Sequence, residues 1–91
     1  MMTVWRRAVL PVLACVSALA LQSAAAQANC AWYVKTSLEQ QQRNLKLKCG
    51  FKGKEWSTDK ATHQNWCASV GPDVSRKAAQ RREKGLKKCG G

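Results

Sequence analysis

Cys49-Gly50-Phe51-Lys52-Gly53-Lys54-Glu55-Trp56-Ser57-Thr58-Asp59-Lys60-Ala61-Thr62-His63-Gln64-Asn65-Trp66-Cys67 reads as a glycine-bearing turn followed by one apolar helical face. With a helix starting at about Ser57, Asp59, His63, Trp66, Cys67 and Val70 fall at i, i+4, i+7, i+8 and i+11. At roughly 100° per residue they share one narrow arc, the width of a core-facing stripe. Trp56, just ahead, is placed to act as a hydrophobic staple. The stretch carries the chain's single histidine, and the segments on either side are patterned to pack against it.

On the N-terminal side, Asn29 is expected to cap a helix of about five turns. Cys30, Ala31, Val34, Leu38, Gln41, Leu45 and Cys49 fall on one face, with Lys35, Glu39, Gln40, Gln42, Arg43 and Lys46 opposite. Trp32, Tyr33 and Leu47 lie off that stripe, packed on a loop or exposed as ligand anchors. Gly50 is placed as the C′ residue. On the C-terminal side, Ser57 or Thr58 caps the second helix, which runs to Val70 and is stopped by Gly71-Pro72. Pro72 or Asp73 opens a third helix. One face bears Val74, Ala78, Gly85, Leu86 and Cys89, and the other Arg76, Lys77, Arg81, Lys84, Lys87 and Lys88. That apolar stripe is thin and Gly85 weakens it, so the helix needs its terminal cysteine. With no strand pattern and no repeat, the expected fold is all-α, a small three-helix up-down-up bundle.

Residues 1–26 read as a secretory signal peptide. Arg6 and Arg7 form a positive start, Ala8 to Leu21 is an uncharged apolar run, and Ala24-Ala25-Ala26 is a cleavage site, with Ala26-Gln27-Ala28 as a second choice two residues later. A retained anchor would need an apolar run of about 20 residues. Val12-Leu13-Ala14-Cys15 resembles a lipobox only loosely, because the apolar run continues past it. The twin-arginine reading of Arg6-Arg7 lacks suitable flanks. Cleavage leaves a domain of residues 27–91 with no transmembrane segment. Losing two arginines takes its formal charge from +11 to +9.

The mature domain keeps four of the five cysteines: Cys30, Cys49, Cys67 and Cys89. An even count in a short exported chain reads as two disulfides, and so small a domain depends on them. Cys30 and Cys49, at opposite ends of one helix, stand about 28 Å apart and cannot bond each other. An up-down-up order puts Cys30 with Cys67 at one end and Cys49 with Cys89 at the other. Cys30–Cys67 and Cys49–Cys89 are therefore favoured among the three pairings.

The pattern Cys49-Gly50-Phe51-x-Gly53-x-x-Trp56-x-x-Asp59-x-x-x-His63-x-x-Trp66-Cys67, flanked by Cys30 and Cys89, resembles an uncharacterised group of small secreted bacterial proteins. The resemblance covers most of the mature domain. It implies an exported, disulfide-stapled helical protein and carries no activity.

Chemistry-bearing residues are few. Asp59 one turn before His63 could orient an imidazole for acid–base work. The structural reading is favoured: Asp59 meets the helix dipole, while His63 packs between Trp56, Trp66 and Cys67. No free thiol or paired carboxylates complete a site, so no catalytic activity is expected. The cysteines are too widely spaced for zinc and there is no Cys-x-x-Cys-His, so neither metal nor cofactor is expected. The basic surface stands out: seven of the fourteen mature cations lie between Arg76 and Lys88, with Lys46, Lys48, Lys52 and Lys54 around the first turn. Together Lys46, Lys48, Lys52, Lys54, Arg76, Lys77, Arg81, Lys84, Lys87 and Lys88 form a candidate surface for nucleic acid, lipopolysaccharide or acidic glycan. A cationic face that merely keeps the protein soluble is the plain alternative. A protein-interaction or inhibitor module using Trp32, Tyr33 and Phe51 is the second functional reading, and a membrane-active cationic protein the third, although its helices lack a broad exposed apolar face.

Overall fold

The computed structural model describes residues 3–90, with side chains from residue 24 onward. Of the residues read above as an export signal, the side chains of 1–23, Cys15 among them, lie outside that range. Helix α1 spans Thr3–Leu47, α2 Lys60–Ser69 and α3 Pro72–Cys89, with one 3-10 turn at Lys54–Trp56 between α1 and α2. The fold is all-α and is stapled by Cys30–Cys67 and Cys49–Cys89, whose Cα atoms stand 5.6 and 5.8 Å apart. Among the described residues no helix is long and apolar enough to cross a membrane.

The helix boundaries correct three expectations. Asn29 is not an N-cap but lies within α1, because Ala24 to Ala28 are good helix formers and nothing stops the helix ahead of it. Its side-chain amide instead crosses to Ser75 Oγ at 3.3 Å. At the other end Lys48, not Gly50, is the C′ residue. It adopts a left-handed φ of 55°, while Lys48 N–H bonds Leu45 O and Cys49 N–H reaches back to Asn44 O, the paired bonds of a Schellman ending. A non-glycine residue there costs about 1 kcal/mol, which the disulfide at the next residue helps to hold. Helix α2 starts at Lys60, later than Ser57. Asp59 is its N-cap, with Oδ1 accepting from Ala61 N–H at 3.0 Å and Oδ2 accepting from Thr62 Oγ1 at 3.2 Å. Trp56 is accordingly no staple. Its ring stacks on Phe51, 4.8 Å between centroids. Phe51 in turn lies against Gly85, where a Cβ would meet the ring at 3.5 Å.

Helices α2 and α3 both pack along α1, α2 antiparallel and α3 parallel to it, and scarcely touch each other. This splay decides which face of α1 is deepest. Of the expected stripe Cys30, Ala31, Val34, Leu38, Gln41, Leu45 and Cys49, Cys30 and Gln41 are buried as expected. The deepest strip, however, runs through Tyr33, Ser37, Gln40 and Asn44, one residue earlier than Val34, Leu38, Gln41 and Leu45 and about 100° around the helix. Leu45 is 61% exposed and Tyr33 only 2%. Val34 and Leu38 flank α2 at Lys60, Ala61 and Gln64, whereas the strip between the two partner helices is buried most completely. Val74 is likewise exposed, and α3 turns Ser75, Ala78, Ala79, Arg82 and Leu86 inward.

The result is a core unusually rich in polar groups. Its apolar cluster is Cys30, Tyr33, Cys67, Ala78 and Ala79, while Ser37, Gln40, Gln41, Asn44, His63, Ser75 and Arg82 are buried around it. Each is hydrogen-bonded, as a folded interior requires. Asn44 illustrates the device. It donates to Phe51 O at 2.9 Å and accepts from Phe51 N–H at 3.1 Å, pinning the turn to α1 as a strand partner would.

Candidate functional site

The feature that organises the interior is Arg82. It is 2% exposed, and its guanidinium donates from Nη2 to Ser37 Oγ at 2.6 Å, from Nε to Gln40 Oε1 at 2.8 Å and from Nη1 to Tyr33 Oη at 3.0 Å. It also lies over the Tyr33 ring, 5.1 Å from the centroid. Every one of these acceptors is neutral. Among the described residues no carboxylate comes within ion-pair distance of it. Gln40 is fixed in turn by donating Nε2 to Ala79 O at 2.9 Å. Arg82 was not among the expected site residues: within a helix bearing seven cations nothing local distinguishes it.

Tyr33 is the floor on which this network meets α2. Its ring is edge-on to His63 at 6.0 Å and tilted against Trp66 at 5.2 Å. Tyr33 is therefore a core residue rather than a surface anchor, and Phe51 is half-buried against Trp56 and Gly85. Of the three aromatics considered for an interface, Trp32 alone is exposed, at 45%, beside Arg76 and Gln80.

His63 and Asp59 do not form a pair. Both carboxylate oxygens of Asp59 are engaged at the helix start, and His63 Nε2 meets the Ser57 carbonyl at 2.7 Å. Because a carbonyl only accepts, Nε2 carries the proton, and the ring ties α2 to Ser57, two residues before its cap. Trp66, expected inside, is 38% exposed on the edge of a cleft. Among the described residues no three His, Cys, Asp or Glu side chains come together to hold a metal ion.

The candidate cations separate into three groups. Lys46 and Lys48 shortly precede Cys49, and Lys87 and Lys88 precede Cys89, so the Cys49–Cys89 bond brings four lysines to one end of the described domain. Helices α1 and α3 both end there, and their dipoles favour positive charge. Lys54 and Arg81 both line the cleft edged by Trp66. Lys52 sits on the first turn, while Arg76, Lys77 and Lys84 are spread along exposed α3.

The acids are few and mostly engaged. Arg81 reaches Glu55 at 3.6 Å and Arg76 reaches Asp73 at 3.9 Å. Arg43 forks onto Glu83 with bonds of 2.7 and 2.8 Å. Those bonds hold the Glu83 carboxyl down to about 2, with burial opposing them and Gln40 assisting, and they raise Arg43. A carboxyl lowered in the folded state stabilises the protein above its usual value of 4.5 and loses that contribution as pH falls toward 2. The pair is about one-third exposed, so screening limits it to about 1 kcal/mol. Urea unfolding of Glu83→Gln should match the wild type near pH 2 and fall short of it by that amount at neutral pH. No difference at neutral pH would show that the fork contributes nothing.

No protein-family model matches the chain, and no curated protein and no solved structure matches it either.

Proposed function

We propose that the protein is an exported, non-catalytic module that binds an anionic polymer or envelope surface through the cations of α3, the end of α1 and the turn that follows it. The observation that carries this reading is the cluster at the Cys49–Cys89 end. Lys46, Lys48, Lys87 and Lys88 stand within three residues of that bond and are exposed, and among the described residues none lies within ion-pair distance of a side-chain carboxylate. Two helix ends contribute roughly half a negative charge each, which offsets only part of four positive charges. Lys87 also acts on the Glu83 carboxylate one turn earlier, and the remaining, only partly neutralised field attracts polyanions by counterion release. Export is supported by the residues 1–26 pattern and by two disulfides, which persist in oxidising compartments.

The test is binding of the oxidised protein to duplex DNA, heparin and anionic vesicles across a salt series. Log-log slopes of about three or more are expected for the polyanions. Replacing Lys46, Lys48, Lys87 and Lys88 together by glutamine should reduce both slope and affinity. Absence of binding at low salt would overturn the reading. The interaction-module alternative now rests on exposed Trp32 beside Arg76, and Trp32→Ala should leave polyanion binding intact while abolishing any aromatic-anchored interface.

A further inference from the structure

Because α2 and α3 lean on α1 without closing on each other, a valley of about 550 Å³ opens between them. Its floor is the Tyr33 ring with buried Arg82. Trp66 and His63 stand on the α2 side, Arg81 on the α3 side and Lys54 at the mouth. The volume is that of a small-molecule site, and the combination of aromatic surface with a few convergent charges is what such sites show.

The charge in this valley is unbalanced. Lys54, Arg81 and Arg82 face one acid, Glu55, which leans toward Arg81 at 3.6 Å. Arg82 is the decisive member. A buried cation normally has an anionic partner, because neutral acceptors recover only part of its lost hydration. Its three bonds go to Ser37, Gln40 and Tyr33, and account for three of the five N–H groups of a guanidinium. The stacking on Tyr33 compensates a further part. An anion seated above Tyr33 would complete the compensation, and Trp66, partly exposed on the wall, offers a flat apolar surface to whatever carries that anion.

We propose that the valley binds a small amphipathic anion: one carboxylate, sulfonate or phosphate group attached to a flat apolar body. The anion interacts with Arg81 and Lys54 in the field of Arg82, and the apolar body rests on Trp66 and Tyr33. This site is separate from the lysine cluster at the Cys49–Cys89 end and does not depend on polyanion binding.

The probe is 2-naphthalenesulfonate, compared with 2-naphthalenesulfonamide, which has nearly the same shape without the charge. Calorimetry and the Trp66 indole N–H resonance report on binding to the oxidised protein. One saturable site is expected, with the sulfonate bound about tenfold more tightly than the sulfonamide, the worth of one charge-assisted hydrogen bond. Arg81→Gln and Trp66→Ala should each weaken the sulfonate by a similar factor while circular dichroism shows the helices intact. Arg81 is exposed and tests the charge without touching the core, while Trp66 also packs on Tyr33, so its result is read with the circular dichroism of the same variant. The four-lysine glutamine variant should lose polyanion affinity and keep the sulfonate site, which separates failure of one proposal from failure of the other. Equal affinity for the two probes, no saturable binding at millimolar concentration, or insensitivity to both valley substitutions would overturn the proposal.

Discussion

Reducing both disulfides is expected to unfold the described domain, and removing either one as an alanine pair should cost about 4 kcal/mol. The two bridges span sequence separations of 37 and 40 residues, so each withdraws a comparable amount of chain entropy from the unfolded state. Small domains have about 5–15 kcal/mol in total, and this one has little to substitute. Its apolar cluster contains two of the cysteines themselves, α2 is 10 residues long, and helices that short do not persist alone in water. The bridges should differ in kind. Cys30 and Cys67 are buried and form part of the core, so Cys30→Ala with Cys67→Ala loses packing as well as the cross-link and releases α2. Cys89 is exposed, so Cys49→Ala with Cys89→Ala acts chiefly on the unfolded state and frays the end of α3. Urea unfolding of the two double variants, followed by circular dichroism, measures both effects. A reduced protein retaining a cooperative transition of near wild-type midpoint would show that the polar core suffices.

The helix count was legible from local signals and length, and the cysteine pairing followed once the helices were taken in an up-down-up order. Gly71-Pro72 stops a helix wherever it occurs, a helix separating Cys30 from Cys49 excludes their pairing, and the alternating helix direction then puts Cys67 with Cys30 and Cys89 with Cys49. The facing of α1 was not legible. Hydropathy favours Ala31, Val34, Leu38 and Leu45, yet the deepest strip runs one residue earlier through Tyr33, Ser37, Gln40 and Asn44, because two helices lie on either side of it. A buried strip made of hydroxyls and amides has no apolar period to detect. The same rotation explains Tyr33, which sits beside Trp32 in sequence but on the opposite side of the exposure boundary. The valley was legible only in pieces. His63 and Trp66 read as a packing stripe and Lys54 and Arg81 as surface cations, and they meet because α2 and α3 splay, a tertiary fact. Lys48 in place of Gly50 at the end of α1 shows the helix-ending hydrogen bonds overriding the preference for glycine at a left-handed position.

Arg82→Leu tests the part of the core that no sequence pattern announced, and a loss of about 3 kcal/mol is expected. The substitution leaves Ser37 Oγ, Gln40 Oε1 and Tyr33 Oη without their donor in a water-excluded strip, and each orphaned polar group costs about 1–3 kcal/mol. Against this, the leucine variant no longer has to bury a charge, which recovers part of the loss. Arg82→Lys should be nearly as damaging, since an ammonium on a single stem cannot reach three acceptors spread from Tyr33 to Gln40 as a planar fork does. The network account makes a sharper demand on combined variants. Removing acceptors along with the donor, as in Arg82→Leu with Ser37→Ala and Tyr33→Phe, should recover much of the stability, so that the triple variant is more stable than the sum of its parts. If Arg82→Leu alone is neutral or stabilising in urea unfolding, the neutral acceptors do not repay the guanidinium's lost hydration, and the cation is retained at a cost to the fold. Full additivity in the triple variant would instead mean that the three contacts act separately and that Arg82 contributes mainly through its packing on Tyr33.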